Sequence, residues 1–565
     1  MLDRRYTGFA QGLFQSGDEE DELDASIGAL LGLLALPGVF VSLSLFEKYS
    51  SLMRYFRGGA MEDHYLKSLP DKYFFIVFSM VVTGLITVWK WDRILPGKQD
   101  WINLAPLPLS ARKILLANLA AIVGVATLFA VDVNLGSSIL FPMIVTAEAR
   151  SLGDVVAFIA VHALVVVAAS VFTFFAVLFV LGVMMAVLPA SAVARVALPV
   201  RLALAATFIA LLGSSFAVPG LVRGLPPGSD SLWRYAPPVW FLGWYQALQS
   251  RATGLLAEVA PWGWRATLLV LAGAALAYGA SYQRLFLSLP ETQGMQASSG
   301  RERWPWLRRM LERWLWRTPF ERAAGLFALR TLARSDTHLL IVTGFLAVGG
   351  VAAAQAAIDA ASRPVFTLPG RAWLSIPLIL VWFVVCGLRM VVDLPVAIQG
   401  NWAFRAILPP GPQPVMPMLR KLVLAACAVL VLLPTALAVG FVWGPAVAVG
   451  VVVFTATLAA ILNEALLTGL RKVPFTCTRA PFQSHAPLLF AVFWVGFALF
   501  TLTGAAVERW MFDRPLRFLW LAGFAAAAAY AIREWRNDMP EVDHDIIWRD
   551  AGVKAMERLD LSAMG

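Results

Sequence analysis

Twelve times along the chain, apolar residues run for about 15 or more positions with scarcely a charge among them, separated by polar stretches of very unequal length. A helix needs about 20 such residues to cross the hydrocarbon core of a bilayer. The runs are Ser26–Phe46, Tyr73–Trp89, Ile114–Val131, Val155–Val187, Leu202–Val218 and Ala266–Tyr282. A second set follows at Leu339–Ile358, Trp373–Leu388, Leu422–Val442, Ala446–Leu467, Leu488–Val507 and Phe518–Ile532. Val155–Val187 is long enough to be tilted or bent, while Trp373–Leu388 and Phe518–Ile532 are short. Leu135–Val145, which holds Gly136, Ser137 and Pro142, reads as a partly apolar loop. None of the runs shows the alternation of a barrel strand, and in lipid a continuous apolar run satisfies its backbone only as a helix. The expected fold is all-α: a polytopic membrane protein of about twelve transmembrane helices in two six-helix repeats.

The polar stretches set the organisation. Residues 1–25 form a cytoplasmic N-terminal segment, 26–282 a first six-helix half, 283–338 a basic linker, 339–532 a second half and 533–565 a C-terminal tail. In the linker, Trp304, Leu307, Leu311, Trp314 and Leu315 share one helical face, with Arg309, Arg313 and Arg317 opposite. That pattern suits a helix lying in the membrane interface; the alternative is a helix packed on a protein partner. Placing both termini in the cytoplasm puts roughly two-thirds of the lysines and arginines inside, as the positive-inside rule expects. The basic loop Glu47–Lys72 runs against it. The expected location is a bacterial-type inner membrane. The acidic run Asp18–Asp24 reads as a solvated tail.

Composition agrees with the pattern and narrows the chemistry. Of 565 residues, 59% are hydrophobic and 15% charged, against roughly a quarter charged in soluble domains, and mean hydropathy is +0.71. The polar stretches leave no room for a separate catalytic domain. Cys386, Cys427 and Cys477 form no CxxC pair, and with five scattered histidines they offer neither a disulfide framework nor a zinc site. There is no Gly-x-x-x-x-Gly-Lys-[Ser/Thr], so the chain lacks the cradle for hydrolysing ATP itself. His-Glu-x-x-His and Gly-x-Ser-x-Gly are also absent. The chain is expected to be no enzyme, to bind no cofactor or metal directly and to have no nucleic-acid partner.

Two loops resemble each other. After the second helix comes Leu95-Pro96, then Asp100-Trp101, then Leu107-Pro108. After the eighth comes Leu394-Pro395, then Asn401-Trp402, then Leu408-Pro409. In each, the second proline lies seven residues past the tryptophan, and a lysine, Lys113 or Lys421, opens the next helix. The loops start about 300 residues apart, as a parallel duplication of a six-helix unit requires.

These loops are similar to the cytoplasmic loop between the second and third helices of ABC-2-type exporter permeases, with Leu107-Pro108-Leu109-Ser110-Ala111-Arg112-Lys113 the closer match and Leu408-Pro409-Pro410 the looser. The resemblance implies that Asp100, Trp101, Leu104, Leu107, Pro108, Arg112 and Lys113, with Asn401, Trp402, Arg405, Leu408 and Pro409, dock on separate P-loop ATPase subunits, which would hold the ATP and magnesium. Interfacial anchoring is the other reading of the two tryptophans. The resemblance further implies short helices dipping back into the membrane between the fifth and sixth helices, at Tyr235, Pro237, Pro238, Trp240, Phe241, Trp244 and Tyr245. The second half departs, since Glu508–Arg517 is too short for such an element.

Polar groups inside the helices are few: His162, Gln355, Arg389, Asn463 and Glu464. Intramembrane ionisable groups are functional candidates by default. For His162 a packing role is expected, because no second acid or base accompanies it. Arg389 and Glu464 lie near enough to helix ends to snorkel or to pair, Glu464 with a neighbour such as Arg471. Val473–Pro481 reads as a proline-bounded turn or a second docking surface. The expected function is the membrane-spanning subunit of an ATP-driven exporter moving an unidentified, amphipathic or lipid-like substrate. The alternatives are an ion-coupled secondary transporter, for which the signature loop and embedded acids are wanting, and a non-transporting membrane scaffold.

Overall fold

The computed structural model describes residues 38–39, 41–43, 45–49, 67–94, 111–146, 151–215, 217–295, 315–316, 318–361, 368–392, 394, 415–467, 475 and 486–537. Among these the chain is almost wholly helical, with no strand. Eleven helices are long and apolar enough to span a bilayer, so the chain is an all-α, multi-pass membrane protein. They coincide with eleven of the twelve expected runs; the remaining one, Ser26–Phe46, lies largely outside the described residues. Large apolar side chains such as Leu276, Phe441, Leu502 and Trp520 are exposed on the helices, as a lipid-facing surface requires.

The chain divides into two compact units, residues 1–300 and 301–565. In the first, the long helices are α1 (Leu69–Ile94), α2 (Ala111–Val145), α3 (Leu152–Val187) and α4 (Ala190–Ser214). Two short helices follow, α5 (Val218–Arg223) and α6 (Pro237–Leu248), and then α7 (Gly254–Met295). The second unit begins with α8 (Pro319–Arg334), opened by a capping box of Thr318 and Glu321. Its spanning helices are α9 (Asp336–Ala361), α10 (Arg371–Val392), α11 (Val415–Cys427) continuing into α12 (Leu433–Trp443), α13 (Pro445–Leu467), α14 (Ala486–Phe512) and α15 (Phe518–Asn537). A π-helical turn, Ala428–Leu432, joins α11 to α12. Its cause is local: Pro434 has no N–H to donate to the carbonyl one turn back, and the ladder widens there.

The two units pack in the same order. In the first, α1 lies against α2, α3 and α4, while α3 lies against α2 and α7. In the second, α10 lies against α11, α13 and α14, while α13 lies against α12 and α15.

The reading of Leu135–Val145 as a loop is corrected: α2 runs unbroken to Val145. Ser137 donates to the Asn134 carbonyl of the same helix at 3.1 Å, and the Asn134 side chain just before the segment is bonded inside the bundle rather than to water. Asn134 donates to the Ala130 carbonyl at 2.7 Å and to Ser170 of α3 at 2.9 Å, and accepts from Ser79 of α1. Pro142 costs one backbone bond, which a membrane helix tolerates when its freed carbonyls find other partners. Phe141, fully buried, packs on Phe75 with ring centroids 4.8 Å apart.

Candidate functional site

The first unit is distinguished by the segment between α4 and α7, which folds back along the bundle instead of crossing it. Pro237 and Pro238 open α6, where their missing N–H groups cost nothing. Trp240 Nε1 donates to the Arg234 carbonyl at 2.7 Å; Arg234 pairs with Glu258 of α7, which also accepts from the Gly228 N–H at 2.8 Å. Helices α6 and α7 then close into a tight hairpin. A Cβ on Gly243 would stand 2.5 Å from the Leu256 carbonyl oxygen, so only glycine allows this approach.

The C-terminal half of α6 ends on a fully buried cation. Lys72, in the first turn of α1, is 0% exposed. Its ammonium donates to Gln249 Oε1 at 2.6 Å and stands 5.1 Å from the Tyr245 ring centroid and 5.2 Å from that of Phe158. A helix N-terminus disfavours a cation and burial disfavours it further, so this cover of ring faces and amide oxygen is what makes the position tenable. Tyr245 turns its hydroxyl to His162 Nδ1 of α3 at 3.1 Å. Phe75 and Phe141 enclose the imidazole, whose Nε2 has no hydrogen-bond partner among the described residues. Next to Lys72, Asp71 points the other way and accepts from Lys48 at 2.6 Å and from Tyr49. Burial, and then the adjacent Asp71 carboxylate, push the Tyr49 phenol up, so it remains a donor. The first turn of α1 thus ties α6, α3 and the segment around Tyr49 together.

In the second unit, polar contacts gather at the end of the bundle where the 395–414 connection leaves α10 and enters α11. His338 Nε2 of α9 donates to the Leu394 carbonyl at 3.2 Å, its Nδ1 lies 2.6 Å from the Ser335 hydroxyl, and its ring packs edge-on against Phe475. The Phe475 N–H donates to the Val392 carbonyl at 3.3 Å. Lys421 of α11 pairs with Glu321 of α8 at 2.7 Å, and Arg389 Nε donates to the Leu466 carbonyl at 2.9 Å. Trp316, Ala324, Met418, Leu419 and Leu467 form the apolar seat beneath. The described residues on either side of this stretch, at the end of α10 and in α11, therefore belong to one packed platform. On α8, a groove lined by Phe327, Arg330, Thr331 and Arg334 opens beside it.

The expected site residues fall as follows. Asp100, Trp101, Leu104, Leu107, Pro108, Asn401, Trp402, Arg405, Leu408 and Pro409 lie outside the described residues, as does Val473–Pro481 apart from Phe475 and the linker helix apart from residues 315 and 316. Lys113 is exposed in the first turn of α2; the side chain of Arg112 is outside the described set. The run from Tyr235 to Tyr245 divides: Tyr235 is exposed in a 3-10 turn, Trp240 and Trp244 are half-buried, and Phe241 and Tyr245 are fully buried. Gln355 is half-buried on α9. Asn463 Nδ2 donates to the Arg420 carbonyl at 3.2 Å, and Glu464 pairs with Arg420 at 3.1 Å.

Three groups escaped the sequence reading. Lys72 stands beside His162 across the Tyr245 ring, although its place at the end of the polar stretch Glu47–Lys72 predicts a loop charge. Gln249 lies just past α6. Glu508 was assigned to a loop, but α14 continues through it to Phe512, and its carboxyl is fully buried with no partner for either oxygen among the described residues. The apolar Val507, Trp510, Met511 and Phe512 around it were the available signal.

The class that this fold defines is the multi-pass helical membrane protein. Comparison with protein-family models, curated proteins and solved structures finds no match to the chain.

Proposed function

We propose that this chain is the membrane-spanning permease subunit of an ATP-driven exporter of the ABC-2 type, with two six-helix halves fused. Separate P-loop ATPase subunits, carrying ATP and magnesium, would dock on the two loops containing Trp101 and Trp402. Both termini would face the cytoplasm, in a bacterial-type inner membrane. The observation that carries the reading is the shared packing order, in which α1 to α4 and α7 are matched by α10 to α15. Transport by alternating access uses such paired units. Two further features suit it. Short helices α5 and α6 fold back between the fifth and sixth predicted spans, and the 395–414 connection starts and ends on a packed platform, which a force-bearing coupling loop needs.

The test is co-purification of the tagged chain from its native membrane in mild detergent. A P-loop ATPase should accompany the native chain and be lost when Trp101→Ala and Trp402→Ala are combined. Recovery of a stable chain with no ATPase, under conditions that preserve a known ATPase–permease complex, would sink the reading in favour of a secondary transporter or a scaffold.

A further inference from the structure

Glu508 sits one turn before the end of α14, and the packing around two glycines fixes its level in the second unit. A Cβ on Gly504 of α14 would meet Leu378 of α10 at 2.8 Å and Leu458 of α13 at 3.4 Å; a Cβ on Gly450 of α13 would meet Phe512 of α14 at 2.9 Å. The helices run antiparallel, so Glu508 lies between these two crossings, level with Phe454 and Thr455 of α13. Its neighbours one turn away on α14, Ala505 and Met511, belong to one buried cluster with Leu374, Leu378, Val451 and Phe454. Into this apolar level the chain places two polar groups: the Glu508 carboxyl and the Thr455 hydroxyl. Both residues are 0% exposed, and neither side chain has a hydrogen-bond partner among the described residues.

No described cation is placed to neutralise the carboxyl. On α14 itself Arg509 pairs with Asp513, and Arg517 of the following turn caps the Trp510 carbonyl and covers its ring. Arg371, at the near end of α10, and Arg514, just past α14, are exposed and form no ion pair with it, while Arg389, at the far end of α10, is bonded to the Leu466 carbonyl. The acid of α13, Glu464, lies near its other end and pairs with Arg420. On α15 the described charge, Glu534, is also at the far end. An isolated carboxylate in apolar surroundings costs several kcal/mol. A metal ion would not relieve that cost, since a carboxylate and a hydroxyl supply fewer than the roughly six oxygens a hard cation takes. A proton would.

We propose that Glu508 is a proton site: the carboxyl holds a proton while α10, α13 and α14 are packed as described, and releases it when that packing opens and water enters. The site does not depend on an ATPase partner and would make the conformational equilibrium of the second unit responsive to proton concentration. Intramembrane acids serve proton relays in other membrane proteins on the same physical ground.

The test uses the purified full-length chain in lipid nanodiscs. Infrared difference spectra between the native chain and Glu508→Gln should show, at neutral pH, the carbonyl band of a protonated carboxylic acid in the native chain, shifted in D2O and lost in the variant. Independently, on the native chain alone, mass spectrometry should find the Glu508 peptide modified by an apolar carbodiimide, which requires a protonated carboxyl, and unmodified by a water-soluble one. Only carboxylate bands attributable to Glu508 at neutral pH, or equal modification by both reagents, would overturn the proposal. Neither readout changes if the exporter reading fails.

Discussion

The two units keep one packing order but fill it differently. Helices α1 and α4 close over Gly84, which lies under the Phe208 ring; α10 and α14 close over Gly496, which lies under Trp382. The glycine and the aromatic ring have exchanged helices, so what is preserved is volume complementarity across the crossing rather than residue identity. The contrast in charge is sharper. The first unit buries a cation, Lys72, between the Phe158 ring of α3 and an extra folded-back helix that supplies the Tyr245 ring and, just past its end, the Gln249 amide oxygen. The second joins α14 to α15 with only a short 3-10 turn, Pro515–Arg517, and buries an anion-forming group, Glu508, with no such cover. A buried charge with built partners holds structure in place; one without them is free to change state.

That contrast breaks first at Lys72. Lys72→Ala removes the contact between α1 and the end of α6 and leaves a cavity among Phe158, Tyr245 and Gln249, which should cost about 2–5 kcal/mol. Lys72→Met refills the ring cage without the charge and should lose only about 1–2 kcal/mol, the net worth of the bond to Gln249. Thermal unfolding of the purified variants in detergent separates the two. Equal losses would mean that the charge itself, not the filled space, holds α6.

In the second unit the corresponding strength lies in close packing. Helices α9 and α10 exchange knobs and gaps: a Cβ on Gly349 would meet Phe383 Cβ at 2.8 Å, and one on Gly387 would meet Phe345 Cβ at 2.8 Å. Gly349→Ala should therefore cost about 1–3 kcal/mol, because a Cβ atom cannot swing aside as a ring tip can. Gly344→Ala, on the same helix with nothing within 4 Å, should be neutral or slightly stabilising. A neutral Gly349→Ala would show that α9 and α10 slide readily, and with it that the second unit is the looser of the two. Back in the first unit, Tyr245→Phe keeps the ring beside Lys72 but strips His162 Nδ1 of its partner. A loss of about 1–2 kcal/mol in the same measurement is expected.

Much of the fold was legible because lipid imposes a single length and a single polarity on each spanning helix. What was lost lies at helix ends. Lys72 and Glu508 each sit about one turn inside a helix, and pattern reading assigns a charge near a boundary to water. Leu135–Val145 failed for a related reason: Gly136, Ser137 and Pro142 look like loop residues, but Ser137 donates to the Asn134 carbonyl of its own helix, and Ser79 and Ser170 of neighbouring helices satisfy the Asn134 side chain just before them. Within Tyr235–Tyr245 nearly every residue is apolar or aromatic, so no sequence contrast could tell the exposed Tyr235 from the buried Tyr245. The side-chain partners of His162 were invisible on principle, since α1 and α6 are brought to it only by tertiary packing.

The smallest expected effect completes the comparison, because it concerns another acid in a spanning helix of the second unit, Glu464. Glu464 was the acid that the sequence singled out, and it lies at the edge of the bundle with its side chain 37% exposed, paired with Arg420 at 3.1 Å. A pair that water can reach is worth about 0–1 kcal/mol and weakens with salt. Glu464→Gln should therefore leave the unfolding midpoint nearly unchanged at high ionic strength, and its carboxyl should react with water-soluble carbodiimide, the reverse of Glu508. If Glu464→Gln proved strongly destabilising and salt-independent, the pair would be part of the packed interior, and the two acids could no longer be separated by exposure. Burial without a partner, rather than membership of a spanning helix, is what sets Glu508 apart.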